Sequence, residues 1–283
     1  MSYIILTGVS AIFLALYDFF KKISVKDKES VFDILFFYTF ISFLCSTIFV
    51  KDAFSIEHKY ILFTLLKSVI ISLSWFFTMK AMSKLDLGIV TPFSMLGTVF
   101  VIILAFIFFG DKIGLIQIGG SLVILIGLLL LSKLNKKDED SKRDLRYLWL
   151  LVLAAFLSSI SAIIDKHLLN NVSNKAVLFW FFLFLSIIYL IVCLIKNKRI
   201  VFKNLISNLW VVLVGISISL ADMFYYKALE VDNSSVSIIS IVRKLSVFIG
   251  VVLASVFLKE GKLVKKLLIF ILMVIGLGGI LFW

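Results

Sequence analysis

Apolar residues run along this chain in ten stretches of about 20, separated by short polar or charged segments. A helix rises about 1.5 Å per residue, so roughly 20 apolar residues are needed to cross the hydrocarbon core of a bilayer. The pattern predicts membrane-spanning helices over residues 2–20, 31–50, 60–81, 88–109, 114–132, 146–166, 175–195, 207–229, 234–258 and 264–282. The fold class that follows is an all-α polytopic membrane protein with ten transmembrane helices. No interval between stretches leaves room for a soluble domain, so the chemistry is expected inside the bilayer.

Composition agrees. Hydrophobic residues fill 62% of the 283 positions and the mean hydropathy is +1.14, beyond what a soluble domain of this size hides from water. The first stretch is expected to be a retained helix, because nothing basic precedes it and Asp18, Lys21 and Lys22 stand where a leader would carry small residues. Cys45 and Cys193 are isolated within spans and are expected to be free thiols in apolar packing.

The formal charge of +12 reports topology rather than nucleic-acid binding in a chain this apolar, and no nucleic-acid partner is expected. The first, third, fifth, seventh and ninth loops hold most of the Lys and Arg residues, from Lys21 and Lys22 to Lys265 and Lys266. The opposite face has only Lys51, Lys59, Lys112, Lys166, Lys175 and Lys227. The positive-inside rule then makes the lysine-rich loops cytoplasmic and both termini extracytoplasmic, in a multi-pass protein of the cell (inner) membrane.

The second half of the chain repeats the first. Asp18 aligns with Asp165, and Lys80-Ala81-Met82 with Lys227-Ala228-Leu229 at the same offset. After a two-residue shift, Ile126-Gly127-Leu128 aligns with Ile275-Gly276-Leu277. Five helices per half is an odd number, so the halves cross the membrane in opposite senses and form an inverted repeat. The expected organisation is a first five-helix repeat over 1–132, a charged connection over 133–145 and a second repeat over 146–283. Inverted repeats place solute sites near the midplane, between halves that rock past each other, so alternating access is the expected mechanism.

Several segments resemble the drug/metabolite transporter superfamily, specifically its ten-helix branch with two EamA domains. They are Ser74-Trp75-Phe76-Phe77-Thr78-Met79-Lys80-Ala81-Met82 and Tyr225-Tyr226-Lys227-Ala228-Leu229, with the helix ends Phe108-Phe109-Gly110-Asp111-Lys112 and Val256-Phe257-Leu258-Lys259-Glu260. The resemblance implies movement of small organic solutes such as amino acids, sugar derivatives or other metabolites without ATP. Two departures stand out. Members commonly keep both termini in the cytoplasm, the reverse of the charge pattern here, and the proline often found in the ninth helix is absent.

Ionisable residues inside spans are costly and mark candidate sites. Arg243 lies about 14 Å into the ninth span and Asp222 about 10 Å from the end of the eighth, so the two reach similar depth near one face. Two readings stand: a structural ion pair, or a solute site in which Arg243 or Lys244 binds a carboxylate or phosphate and Asp222 is partner or proton-linked switch. The matching positions of the fourth span are Ser94 and Met95, so the cationic feature belongs to one half, as suits specificity. Asp18 and Asp165 are read as interfacial ion pairs with Lys21, Lys22 and Lys166, or as proton-coupling groups. Lys67, about 11 Å into the third span, either faces a cavity or snorkels to the interface. Trp75, Tyr225 and Tyr226 either line the cavity or pack. Pro92, the only proline, predicts a kink or broken turn near Thr91 and Ser94.

The sequence has no GxxxxGK[ST] loop, no HExxH and no GxSxG, and its two histidines, His58 and His167, lie far apart. No catalytic residue, metal or cofactor is expected. The function read from the sequence is secondary transport of a small polar metabolite, an amino acid or organic anion, with proton coupling through Asp222, Asp18 or Asp165. The partners are the solute and the lipid bilayer, and the protein is a monomer or homodimer. The alternative is an intramembrane enzyme acting on a lipid head group through Asp222, Lys244 and Asp165.

Overall fold

The computed structural model of the chain describes residues 3–26, 31–54, 56–109, 114–134, 141–169, 171–197, 208–229, 231, 239 and 242–281. Its helices are α1 (Tyr3–Lys26), α2 (Val31–Ser46), α3 (His58–Met82), α4, α5 (Leu115–Leu134), α6 (Ser141–Leu169), α7 (Asn174–Asn197), α8 (Leu209–Leu229), α9 (Leu245–Phe257) and α10 (Leu263–Leu281). The fourth, α4, is composite: Leu87–Val90, a 3-10 stretch Thr91–Met95, then Leu96–Phe109. Among the described residues, eight helices are long and apolar enough to cross a membrane, and Leu115–Leu131 and Leu245–Phe257 are shorter apolar helices. The all-helical class read from the sequence, with ten helices, is therefore the observed one. The early part of the expected ninth span lies outside the described residues.

The break expected at Pro92 is present. Proline removes one backbone donor from the helical ladder, and Thr91–Met95 tightens to 3-10 geometry around it. The side chain of Thr91 occupies the Leu87 carbonyl at 3.0 Å.

The helices pack mainly across the halves: α1 on α8 and α3 on α6, α2 on α8 and α3 on α7, α4 on α6 and α1 on α9. In addition α2 packs on α7, and α5 on α10. Exchanging each helix for the one five places along, α1 with α6, α2 with α7 and so on, maps this set onto itself. Lipid tails are as apolar as leucine, so these contacts depend on close approach and interhelical hydrogen bonds rather than on a hydrophobic drive. Ser10 Oγ donates to the Ala221 carbonyl at 2.7 Å between α1 and α8, and Ser74 Oγ to the Ala154 carbonyl at 2.8 Å between α3 and α6. Between α5 and α10, Gly120 and Gly276 bring the backbones so near that a Cβ on either would strike the other's carbonyl oxygen. Large apolar side chains such as Leu62, Leu129, Trp149 and Ile275 face outward, where lipid is their solvent. Cys45 and Cys193 are free.

Candidate functional site

The interior of the bundle holds two adjoining cavities of about 480 and 270 Å³ that share Asp18, Ser94, Gly97, Ser158 and Lys244 as walls. The larger is within the range of roughly 300–1,000 Å³ that holds small organic ligands. Asp18 comes from α1, Ser94 from the 3-10 break of α4 and Gly97 from the helix just after it, Ser158 from α6, and Lys244 from the turn that opens α9. The larger cavity adds Thr98, Ser159, Tyr225, Arg243 and Ser246. Both halves of the chain therefore contribute polar and charged side chains to one chamber.

Arg243 and Asp222 meet as their depths along the helices predicted. Arg243 Nη2 donates to Asp222 Oδ1 at 2.5 Å, and the guanidinium stacks over the Tyr225 ring with its Cζ 4.0 Å from the centroid. The Nε–H of the same guanidinium is buried and has no hydrogen-bond partner among the described residues. Lys244 donates to the Ser94 carbonyl at 3.3 Å. The break in α4 thus presents a backbone carbonyl to the cation of α9.

A second ion pair stands near the first. Lys67 Nζ lies 2.5 Å from Asp165 Oδ1 and 4.3 Å from the centre of the Phe181 ring. Asp222 is within electrostatic reach of both Lys67 and Asp165, so Arg243, Asp222, Lys67 and Asp165 form a chain of alternating charge running from the segment just before α9 across α8, α3 and α6. Lys67 does not snorkel; its side chain is 6% exposed.

The local ion pairs expected for the two repeat-related aspartates are not what the described residues show. Lys21 donates to the Tyr17 hydroxyl at 3.0 Å, and Lys22 donates to the Met82 carbonyl at 2.6 Å and to that of Leu85. Asp165 takes Lys67 from another helix, and the side chain of Lys166 lies outside the described residues. No ion pair joins Asp18 to a described cation, and Asp18 instead lines both cavities. The reason is competition: a helix C-terminus offers free carbonyls, and Lys22 caps those of α3.

Of the aromatic candidates, Tyr225 lines the larger cavity. Trp75 sits among Tyr17, Tyr38 and Phe181, with Tyr226 packed against the same cluster, and neither lines a described cavity. Ser158, Ser159, Thr98 and Ser246 are not among the candidates the sequence singles out. Small hydroxyls inside apolar spans were the available signal, but most such residues here bond their own helix, as Thr39 and Ser68 do. Among the described residues no group of His, Cys, Asp and Glu is arranged to hold a metal ion.

Residues 1–133 and 145–282 match the EamA-like transporter family. The chain belongs to that family. A family of polytopic membrane transporters accounts for the ten helices. A solved crystal structure, described only as that of a protein, shares the fold at a TM-score of 0.64 and 17% identity, covering 97% of this chain and 94% of that one. No curated protein matches the chain.

Proposed function

We propose that this EamA-family protein is a secondary carrier that moves a small polar metabolite, an amino acid or organic anion, by alternating access. One observation carries the reading: Arg243, which has a buried Nε–H donor without a partner among the described residues, lines the same cavity as Lys244. A buried donor left unpaired costs about 1–3 kcal/mol, and an oxyanion supplied by a solute removes that cost. Lys244 adds a second positive charge to the same lining.

The two halves, 1–132 and 146–283 joined by 133–145, are the units that rock, a reading supported by the reciprocal packing of their helices. Asp222 competes with the solute for Arg243, and Asp222, Asp18 and Asp165 are the candidates for proton coupling. The lysine-rich loops face the cytoplasm of a cell (inner) membrane, which places both termini outside.

The test is counterflow in proteoliposomes of the full chain, using a pooled library rich in amino acids and organic anions, with and without an imposed pH gradient. Accumulation that is lost in Arg243→Ala supports the carrier, and acceleration by the gradient supports proton coupling. Products formed from bilayer lipid, with no solute exchange, would overturn the reading in favour of an enzyme.

A further inference from the structure

We propose that Asp18 is the second pole of the solute site and selects solutes that carry a cationic amine as well as an anionic group. The inference rests on the cavity being the transport site and goes beyond it by fixing the charge pattern of the solute.

Asp18 and Lys244 face the same two cavities from α1 and α9. They are close enough to feel each other's charge, yet no ion pair forms between them. The two cations nearest to Asp18 along α1 make no ion pair with it: Lys21, within electrostatic reach of the carboxylate, gives its hydrogen bond to the Tyr17 hydroxyl, and Lys22 donates to the Met82 and Leu85 carbonyls. Lys244 holds one backbone carbonyl at 3.3 Å, the long end of the hydrogen-bond range. The chamber is therefore lined by a carboxylate without a direct counterion, Asp18, and by two cationic residues, Lys244 and Arg243. A charge removed from water is costly unless it is paired. A solute with an amine and a carboxylate pairs both kinds of charge at once, whereas a simple carboxylate leaves Asp18 unmatched. Ser158 and Ser246 in the lining of the larger cavity suit the polar middle of such a solute.

The experiment uses matched pairs that differ only in the α-amine: L-alanine and propanoate, L-leucine and 4-methylpentanoate, L-glutamate and pentanedioate. Transport into proteoliposomes of the full-length protein is measured for each member, in wild type and in Asp18→Asn, Asp18→Glu and Arg243→Ala. The wild type is expected to favour the amine-bearing member of its best pair by about tenfold or more in apparent affinity, the scale of one charge-assisted hydrogen bond. Asp18→Asn shrinks that ratio to about twofold or less, consistent with loss of the charge. Asp18→Glu restores it in part, and Arg243→Ala abolishes transport of both members. A ratio unchanged in Asp18→Asn overturns the inference, as does a variant whose only change is in its response to a pH gradient. Wild-type transport of the carboxylates without preference for the amine also overturns it while leaving the carrier reading intact. Inertness toward every pair sinks this inference, and the pooled library then decides the carrier reading separately.

Discussion

Glu260, in the connection between α9 and α10, accepts the backbone N–H of Leu87 at 2.6 Å and that of Gly88 at 3.0 Å, so one repeat caps the start of a helix in the other. Lys266 completes the arrangement at 3.0 Å from Glu260 and 3.6 Å from Asp86. The side chains of Glu260 and Lys266 are 6% and 3% exposed. Lys259 and Lys262 on either side take positive φ, 55° and 65°, where side chains other than glycine's rarely sit. Gly88 fits closely as well, since a Cβ there would lie 3.0 Å from both Cδ and Nζ of Lys266, which would have to shift by a few tenths of an ångström.

Glu260→Ala is therefore expected to cost about 3 kcal/mol or more, because it leaves a buried ammonium without its nearest carboxylate and uncovers two backbone donors. Thermal unfolding in detergent should show a marked drop. Adding Lys266→Met to Glu260→Ala should cost less than the two single losses together. Strict additivity would mean that the pair does not act as a unit.

The Lys67–Asp165 pair is lopsided in burial, 6% exposed for the lysine side chain against 31% for the aspartate. The two single losses should differ accordingly. Asp165→Asn strands a buried ammonium beneath Phe181, while Lys67→Met leaves a carboxylate that still reaches solvent. Asp165→Asn is expected to be the more destabilising by about 1 kcal/mol or more, with the double variant between the two. Equal melting temperatures for the two single variants would contradict the burial argument.

Depth in the membrane is a one-dimensional quantity, and the sequence carries it well. A fixed rise per residue brought Arg243 and Asp222 to one level, and the structure pairs them. Which way a side chain faces around its helix is another matter. It depends on the helix packed against it, and here that helix mostly belongs to the other half of the chain. Lys67 finds Asp165 only because α3 lies on α6. Asp18 stays unpaired within the cavity because the end of α3 takes Lys22. Neither fact is written in local spacing. The break at Pro92 was legible for the opposite reason, since a missing N–H is a property of one residue.

The crossing of α5 on α10 gives a steric contrast between neighbouring glycines. A Cβ on Gly276 would come within 2.7 Å of the Gly120 carbonyl oxygen, backbone that cannot move aside. At Gly279 the nearest atom would be Ile116 Cγ2 at 3.5 Å, an ordinary contact. Gly276→Ala is expected to destabilise the protein by about 1–3 kcal/mol through forced separation of the helices. Gly279→Ala should be neutral or gain about 0.5–1 kcal/mol from helix propensity. Melting temperatures of the two variants in one detergent decide the matter, and a reversal of their order would place the crossing elsewhere.

Asp222 and the anionic end of a solute compete for the same guanidinium. With Asp222 in place, binding must break or share a hydrogen bond of 2.5 Å. Asp222→Asn keeps the shape of the side chain and removes its charge, so Arg243 meets the solute with its full positive potential. A solute anion should then bind more tightly and leave more slowly. The expected outcome is a fall in both KM and maximal counterflow rate, KM by about fivefold or more, the scale of one weakened ionic hydrogen bond. Arg243→Lys should act in the reverse sense. A lysine keeps the charge but lacks both the planar fork that serves Asp222 and the stacking on Tyr225, so KM should rise. If Asp222→Asn raised KM instead, the aspartate would be a ligand of the solute rather than its rival, and a cationic group would have to be sought at that end of the substrate.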